Sequence, residues 1–241
     1  MKYFHYFILI LLLLSIGVAN ATDKGKTLTV TKIEKRCDNP RRVPALMDRD
    51  DRIEWQKIDV INWEKYPYLP EVKFRIAYTE DAILLHYVVT EATVRGVTAE
   101  DNGPVYKDSC VEFFLSPEDD GLYYNLECNC IGTVLFGSGG DEKGKVLADE
   151  NTLKGIKRWA SSGKKPFDEI MEQRTWEVAI IFPYSSLFRH EIETLEGKTI
   201  RANFYKCGDA LQTRHYVSWN PIGTKGPSFH TPQYFGTLIF K

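Results

Sequence analysis

The sequence predicts an all-β protein, an antiparallel β-sandwich of the immunoglobulin-like or jelly-roll type with one or two short helical turns. Three observations support this prediction. Apolar and polar residues alternate with a period of two along most of the chain. Turn residues separate the alternating runs, and almost no stretch keeps the 3.6-residue period of an amphipathic helix. Many short strands with little helix are typical of two packed sheets.

The first 21 residues predict a cleaved signal peptide. Lys2 supplies a positive charge, residues 7–18 form an apolar run, and small residues at 19–21 suit a cleavage site. A transmembrane anchor needs roughly 20 apolar residues, which is more than this run holds. We therefore expect residues 22–241 to form a single domain that is secreted or periplasmic.

The clearest hairpin lies in the first half of the chain. Residues 72–78 alternate, Glu80 and Asp81 form a turn, and residues 83–89 alternate again. The same pattern predicts strands at 110–115, 123–136, 175–182, 199–206, 214–219 and 234–240, with weaker strands near 28–33 and 55–60. One helical turn is expected at 183–188, because Pro183 suits a first helical position. The stretches 137–144 and 149–168 are predicted to be surface loops.

Composition limits the classes of partner. The chain has 31 basic and 33 acidic residues, a formal net charge of −2 and no run of like charge. Such a surface argues against nucleic acid and against anionic membranes as partners. The five cysteines show no paired C-x-x-C spacing of a zinc site. Cys128 and Cys130 share a strand face, and we expect both to be buried thiols.

A second hairpin, residues 105–130, carries the polar side chains of greatest interest. If Ser116 faces Gly121 across the turn, Glu112 faces Asn125, and Asn125, Glu127 and Asn129 share its side of the sheet. The opposite side of the hairpin is apolar. A row of amides and carboxyls donates and accepts hydrogen bonds in a fixed geometry, which suits hydroxyl-rich ligands such as sugars.

Sugar rings also need a flat apolar partner. Tyr106, just before the second hairpin, and Trp219, at the start of a terminal loop rich in Pro and Gly, are the predicted aromatic platforms. Trp176 is expected in the core, since most large aromatic side chains are buried. The pattern leaves Trp55, Trp63 and Trp159 undecided between core and surface.

The order of these features resembles the family 9 carbohydrate-binding modules, and the resemblance spans nearly all of residues 22–241. The core D-x-x-V-E-F-F in "VYKDSCVEFFLSP" is moderately specific. The other matching stretches support the resemblance mainly through the order in which they occur along the chain. They are "PEVKFRIAYTEDAILLHYVV", "YYNLECNCIGT", "NFYKCGD", "SWNPI" and "FGTLIF".

The resemblance implies a β-sandwich without catalysis that holds a sugar between two aromatic rings, helped by a carboxylate and amides. It places the first ring at Tyr106, the carboxylate at Glu112 and the second ring at Trp219. Tyr106 departs from the family, where tryptophan is usual. The sugar-contacting arginine of the family has no firm match, although Arg214 is the nearest choice. The remaining predicted ligand-binding residues are Asn125, Glu127, Asn129 and Asn220.

No cofactor is predicted with certainty. Family members often carry structural calcium, and the acidic stretches 48–51 and 118–121 offer oxygen ligands, although each is more often an ordinary turn. The family also resembles haem-binding domains. Haem would need axial His or Met ligands, and no spacing here singles out a pair.

These features favour one function over three alternatives. We expect non-catalytic binding of a plant-type or other polysaccharide or oligosaccharide in carbohydrate catabolism. A glycoside hydrolase is the first alternative, because Glu112 and Glu127 would lie diagonally about 7–8 Å apart on neighbouring strands. A haem-binding or protein-adhesion sandwich is the remaining possibility, and an adhesin would expose an apolar patch or a free edge strand.

Overall fold

A computed structural model describes residues 25–140 and 144–241 of the chain. The predicted signal peptide, residues 1–21, lies outside the described residues. No helix within the described ranges is long and apolar enough to cross a membrane.

Strands dominate the structure, as predicted. They are β1 (Thr27–Lys32), β2 (Gln56–Lys57), β3 (Val60–Ile61), β4 (Glu71–Tyr78), β5 (Ala82–Glu91), β6 (Val94–Gly96), β7 (Cys110–Ser116), β8 (Tyr123–Asn129), β9 (Val134–Gly139), β10 (Val146–Leu147), β11 (Lys157–Ala160), β12 (Phe167–Ile170), β13 (Arg174–Pro183), β14 (Thr199–Cys207), β15 (Tyr216–Ser218) and β16 (Gly236–Phe240). The described helices are α1 (Val43–Met47) and α2 (Glu150–Gly155), together with 3-10 turns at Pro40–Arg42, Val105–Lys107, Tyr184–Ser186 and Pro232–Tyr234.

Most of the strands form two layers that share β1, while β6 and β12 pair with each other as a separate two-stranded sheet. The first sheet has the order β10-β9-β8-β7-β14-β16-β1, and the second has the order β1-β4-β5-β13-β11. β15 extends the first sheet beside β14 and pairs with β3. The β-sandwich prediction is therefore confirmed, with one qualification to its antiparallel character. β1 pairs in parallel with both β16 and β4, and so joins the two layers at one edge.

Two predicted surface loops contain regular structure. The stretch 149–168 holds α2, β11 and the start of β12, and Asp149 caps α2 by accepting a hydrogen bond from the backbone N–H of Thr152. The stretch 137–144 begins with the end of β9. The predicted long strand at 123–136 is in fact two strands, because Gly132 takes a positive φ of 82° and turns the chain between β8 and β9.

Aromatic rings fill the space between the sheets. Phe204 of the first sheet stacks on Phe74 of the second at 3.8 Å between ring centroids, and on Phe113 at 4.9 Å. Trp176 is buried in this core, as predicted. Cys128 and Cys130 are buried there too, and burial raises the pKa of both thiols. Full burial of each such apolar side chain contributes about 1.5–3 kcal/mol.

A charged pair also lies in this core, which the sequence pattern did not predict. Lys206 Nζ is 2.8 Å from Glu91 Oε2, and neither side chain is accessible to solvent. Trp176 Nε1 donates to Glu91 Oε1, while His215 Nε2 lies 2.7 Å from Lys206 Nζ. The opposite charges of Lys206 and Glu91 pair with each other and contact neighbouring polar groups, so the interior accommodates the two charges.

Candidate functional site

The outer face of the first sheet carries the polar residues predicted for the site. Glu112 of β7 lies directly opposite Glu127 of β8, and Phe114 lies opposite Asn125. The predicted register, with Glu112 facing Asn125, is wrong by two residues. A shift of two keeps every side chain on its predicted face, so the shared face of Glu112, Asn125, Glu127 and Asn129 is correct.

A terminal loop, residues 219–235, covers this face. Phe229 stacks on Tyr205 of β14 with 4.1 Å between ring centroids and an angle of 5°. Tyr123 Oη lies 3.0 Å from Nδ1 of His230, and Trp63 Nε1 donates to the carbonyl of Thr224. The predicted row of amides and carboxyls is therefore largely buried.

One part of the face stays open as a pocket of about 210 Å³. Strand, turn and loop residues line it together; they are Tyr106, Glu112, Glu127, Cys207, Asp209, Tyr216, Pro227, Ser228, Phe229 and His230. The Tyr106 side chain is 37% exposed, while Glu112 and Glu127 form the buried floor at 3% each. We call this volume the β7–β8 pocket.

A larger hollow of about 650 Å³ lies at another part of the surface, beside Phe167 and Arg174. Among the described residues that line it, none is acidic. The β7–β8 pocket is the better candidate site because it combines an exposed aromatic ring with convergent polar groups.

Burial governs the protonation of the two carboxyls. It raises the pKa of Glu127 to about 7, although Lys145 and a hydrogen bond from Asn125 Nδ2 act in the opposite direction. The pKa of Glu112 is raised well above its usual value by burial, and next by the charge of Glu127. Cys207 Sγ donates to Glu112 Oε1 at 3.0 Å. A protonated carboxyl both donates and accepts hydrogen bonds, so the floor offers both functions to a ligand.

The loop contributes a neutral imidazole. Burial, and next the positive charge of Lys145, lower the pKa of His230 to about 4. His230 is therefore uncharged near neutral pH and acts as a hydrogen-bonding group at the pocket wall.

The prediction for Trp219 is wrong. Its side chain is 2% exposed and lies in the core between the sheets, edge-on to Phe204 at 5.6 Å and to Phe74 at 6.3 Å. Its backbone N–H donates to the carbonyl of Phe204 and continues the pairing of β15. Alternation along β15 therefore sends Val217 and Trp219 inward. Tyr216 instead lines the pocket.

Three other predicted ligand residues have structural contacts and do not line the pocket. Asn129 Nδ2 donates to Asp108 and Thr98, and its Oδ1 accepts from the next turn. Asn220 accepts from Lys26 N–H and donates to the Tyr234 carbonyl, which joins the terminal loop to the start of β1. Arg214 Nε donates to the carbonyl of Asp209.

The structure thus brings together Tyr106, Glu112 and Glu127, with Asn125 hydrogen-bonded to Glu127 beside the pocket. Sequence reasoning missed several lining residues, chiefly Cys207, Asp209 and Tyr216. Alternation along β15 could have identified Tyr216 as a lining residue, because it places Tyr216 and Trp219 on opposite faces of the strand.

The two acidic stretches that could offer oxygen ligands to calcium make contacts within the protein. Asp48 pairs with Arg75 at 2.7 Å, and both carboxylate oxygens of Asp50 bind Arg52. In the second stretch, Asp120 accepts from the backbone N–H of Leu122 and from His190. Asp48, Asp50 and Asp120 therefore already have partners within the protein.

Within the described residues, one group of metal-ligating side chains comes together, Cys110, Glu112 and Cys207. The histidines considered for haem are engaged elsewhere. His86 contacts Glu177, His190 contacts Tyr124, and His215 contacts Lys206. They do not form an axial pair.

Comparison with known proteins agrees with the fold and with the motif order. Residues 41–240 match the model of carbohydrate-binding family 9. A crystal structure from Bacteroides uniformis ATCC 8492, of a candidate carbohydrate-binding protein, has 49% identity and a TM-score of 0.88; the match covers 90% of this chain and 100% of that one. No curated protein matches the chain.

Two further solved structures share the fold. Both are a family 9 carbohydrate-binding module from Caldicellulosiruptor kristjanssonii, one in complex with glucose and one with cellotriose. Each has 14% identity and a TM-score of 0.53 over 90% of this chain, covering 96% and 94% of the neighbour. The resemblance read from the motifs is confirmed by the family match, which spans most of the sequence. The chain belongs to carbohydrate-binding family 9.

Proposed function

We propose that this protein binds carbohydrate in the β7–β8 pocket without catalysing a reaction. The observation that carries the proposal is the placement of an exposed aromatic ring, Tyr106, in one pocket with the opposed carboxyls Glu112 and Glu127. A sugar ring has an apolar C–H face and an edge of hydroxyls. The pocket offers a matching surface to each.

Tyr216 and Phe229 provide the second aromatic surface, the role that the sequence analysis assigned to Trp219. Both line the pocket, and they contact each other edge-on at 6.2 Å between ring centroids. Phe229 is held by its stack on Tyr205, so the aromatic wall is in place before a ligand arrives. A preorganised wall lowers the entropy cost of binding.

The ligand class that fits is a neutral polysaccharide or oligosaccharide, of plant or other origin, taken up in carbohydrate catabolism. Glu112 and Glu127 would form hydrogen bonds with sugar hydroxyls at the floor of the pocket, and the described residues that line the pocket include no lysine or arginine to bind a negatively charged uronic acid. We also propose that residues 1–21 direct export, which makes the protein secreted or periplasmic. A mature N-terminus at Thr22, found by N-terminal sequencing, is the expected result.

Calorimetric titration with glucose and cellotriose tests the binding proposal. We expect Tyr106→Ala to weaken binding by roughly 10-fold or more, because an aromatic contact contributes about 0.5–1.5 kcal/mol beyond its buried area. Glu112→Gln should also weaken binding. Trp55→Ala is the matched control, since Trp55 is equally exposed at 37% and does not line the pocket. Unchanged affinity in Tyr106→Ala, or no binding across a glycan panel, would refute the proposal.

A glycoside hydrolase is the second candidate, and one observation favours it. Glu112 and Glu127 are directly opposite each other, so their Cα atoms are about 4.5–5.5 Å apart, nearer than the diagonal spacing expected from sequence. Side chains on directly opposite residues of one sheet face are neighbours, and a retaining glycosidase likewise holds its two carboxyl groups close together, at about 5–5.5 Å.

Pocket shape argues against this candidate. Such an enzyme must admit the scissile glycosidic bond between its two carboxyls. Here Glu112 and Glu127 are each only 3% exposed, at the floor of a pocket of about 210 Å³. We therefore expect no reducing-sugar release from a polysaccharide panel. Turnover that disappears in both Glu112→Gln and Glu127→Gln would establish the enzyme instead.

A further inference from the structure

Two buried thiols face each other on the outer side of the first sheet. Cys110 of β7 lies directly opposite Cys207 of β14, and both are buried. Glu112 follows Cys110 by two residues on the same strand and therefore projects from the same face. Three side chains with metal-ligating atoms therefore meet here, and two of them, Glu112 and Cys207, line the β7–β8 pocket.

The spacing of these atoms suits a small metal ion. The two sulfurs and a Glu112 oxygen all lie within 4.8 Å of one another, and Cys207 Sγ is 3.0 Å from Glu112 Oε1. In a tetrahedral zinc site, bonds of about 2.1–2.3 Å separate neighbouring ligand atoms by roughly 3.5–4 Å. Small side-chain movements would bring the three atoms to these separations.

A fourth group supplies an independent indication of a ligand. Glu127 Oε2 is buried and has no hydrogen-bond partner, although its Oε1 accepts from Asn125. Leaving a buried carboxyl oxygen without a partner destabilises the folded protein, so a ligand that binds this oxygen would remove that cost. Glu127 lies opposite Glu112 and lines the same pocket as Glu112 and Cys207, so this oxygen borders the same volume.

We propose that Cys110, Glu112 and Cys207 bind one thiophilic divalent cation, with Zn²⁺ as the best fit. Glu127 faces the fourth coordination position, where it binds the ion directly or accepts a hydrogen bond from its water. Two sulfur ligands favour zinc over calcium or magnesium, which prefer oxygen alone. The pocket mouth provides the route of entry. This metal site shares Glu112 and Glu127 with the proposed sugar site, and metal binding can be tested without a sugar present.

Cobalt(II) is the probe for this site, because thiolate ligation gives a near-ultraviolet charge-transfer band and tetrahedral geometry gives intense visible bands. The full-length protein is reduced, freed of metal with a chelator and titrated with Co²⁺. We expect both bands to saturate at one ion per chain, and Zn²⁺ to displace the cobalt and abolish them.

Substitutions of the cysteines and glutamates identify the residues that bind the metal ion. Cys110→Ala and Cys207→Ala should each reduce the charge-transfer band by about half or abolish it, while Cys128→Ala should leave it unchanged. Cys128 is the matched control because it is equally buried but points into the core. If an alanine variant fails to fold by circular dichroism, Glu112→Gln replaces it and should weaken cobalt binding at least about 10-fold. Glu127→Gln should weaken it roughly 10–100-fold, as expected for a group that orients or completes a site.

Two results would overturn the proposal. One is a reduced wild-type protein that shows no thiolate band, including a protein isolated with a Cys110–Cys207 disulfide that binds no cobalt after reduction. The other is a band that both cysteine variants retain. Sugar titration of both the metal-free and the cobalt-loaded protein separates the two proposals. Absence of sugar binding in both forms, beside a normal cobalt titration, counts against carbohydrate binding alone.

Discussion

Single side chains in this protein are placed by the alternation of the strand that carries them. Trp219 and Tyr216 are both aromatic and lie close together in sequence, yet Trp219 is in the core and Tyr216 is at the pocket. An odd separation along an extended chain puts two side chains on opposite faces. Residue type alone favoured Trp219 as the sugar platform, and strand geometry reverses that choice.

Replacement of Trp219 should therefore affect stability. We expect Trp219→Ala to lower the free energy of unfolding by about 3–5 kcal/mol, because it leaves a cavity against Phe74 and Phe204. Urea denaturation measures the change. Tyr106→Ala is the control, and an exposed residue of this kind should change stability by about 0.5 kcal/mol or less. A stable Trp219→Ala variant that has lost sugar binding would restore the platform hypothesis.

At the scale of secondary-structure elements, Gly236 lies where the terminal loop ends and β16 begins, and it packs against the core. A Cβ on Gly236 would lie 2.5 Å from Cζ3 of Trp219 and 2.7 Å from the carbonyl of Lys26. Only glycine lets β16 approach this closely while it pairs with β14 and β1. The stretch "FGTLIF" is thus constrained by packing against Trp219.

Gly236→Ala should destabilise the protein by about 1–3 kcal/mol or more, since backbone and a packed indole must move to admit the methyl group. Thermal unfolding followed by circular dichroism measures the effect. Gly226→Ala offers a control in the same terminal loop, because a Cβ there meets nothing within 4 Å. Equal melting temperatures for the two variants would contradict the packing argument.

In the β7–β8 hairpin, the alternation of apolar and polar residues predicts which face a side chain occupies but not which residues pair. Alternation placed Glu112, Asn125 and Glu127 on one face correctly, because a shift of two residues leaves the faces unchanged. It did not determine the register, since the turn between β7 and β8 is set by the residues from Pro117 to Leu122. The direct Glu112–Glu127 pair follows from that turn.

For the whole molecule, buried titratable groups make stability depend on pH. Glu127 has its pKa raised to about 7 from 4.5. Between these values the folded protein keeps a proton that the unfolded chain releases, so this group lowers stability as pH rises through that range. His230, with its pKa lowered to about 4 from 6.5, lowers stability as pH falls through its own range.

Glu127→Gln should remove the first contribution. Its stability relative to the wild type should increase between pH 4.5 and 7.5, by about 1–3 kcal/mol. Denaturant unfolding of chelator-treated protein at several pH values measures this difference. His230→Gln is the companion variant, and its relative stability should increase as pH falls from 6.5 toward 4. A Glu127→Gln difference that is constant with pH would show that the carboxyl is not perturbed.

The sequence by itself determined the fold class, the main strands and the buried position of Trp176, Cys128 and Cys130. These follow from period-two alternation and apolar content, which are local properties of the chain. Its motif order also indicated the family correctly. Tyr106, Glu112 and Glu127 were predicted for the site, and the structure places all three in one pocket.

Only the tertiary structure decided which groups meet. The terminal loop covers the sheet face through Phe229 and His230, and Cys207 comes beside Cys110 because β14 pairs with β7. Contacts of this kind join residues far apart in the sequence, so no local pattern encodes them. The physical reason is that strand pairing and loop packing are selected by the burial of the whole core.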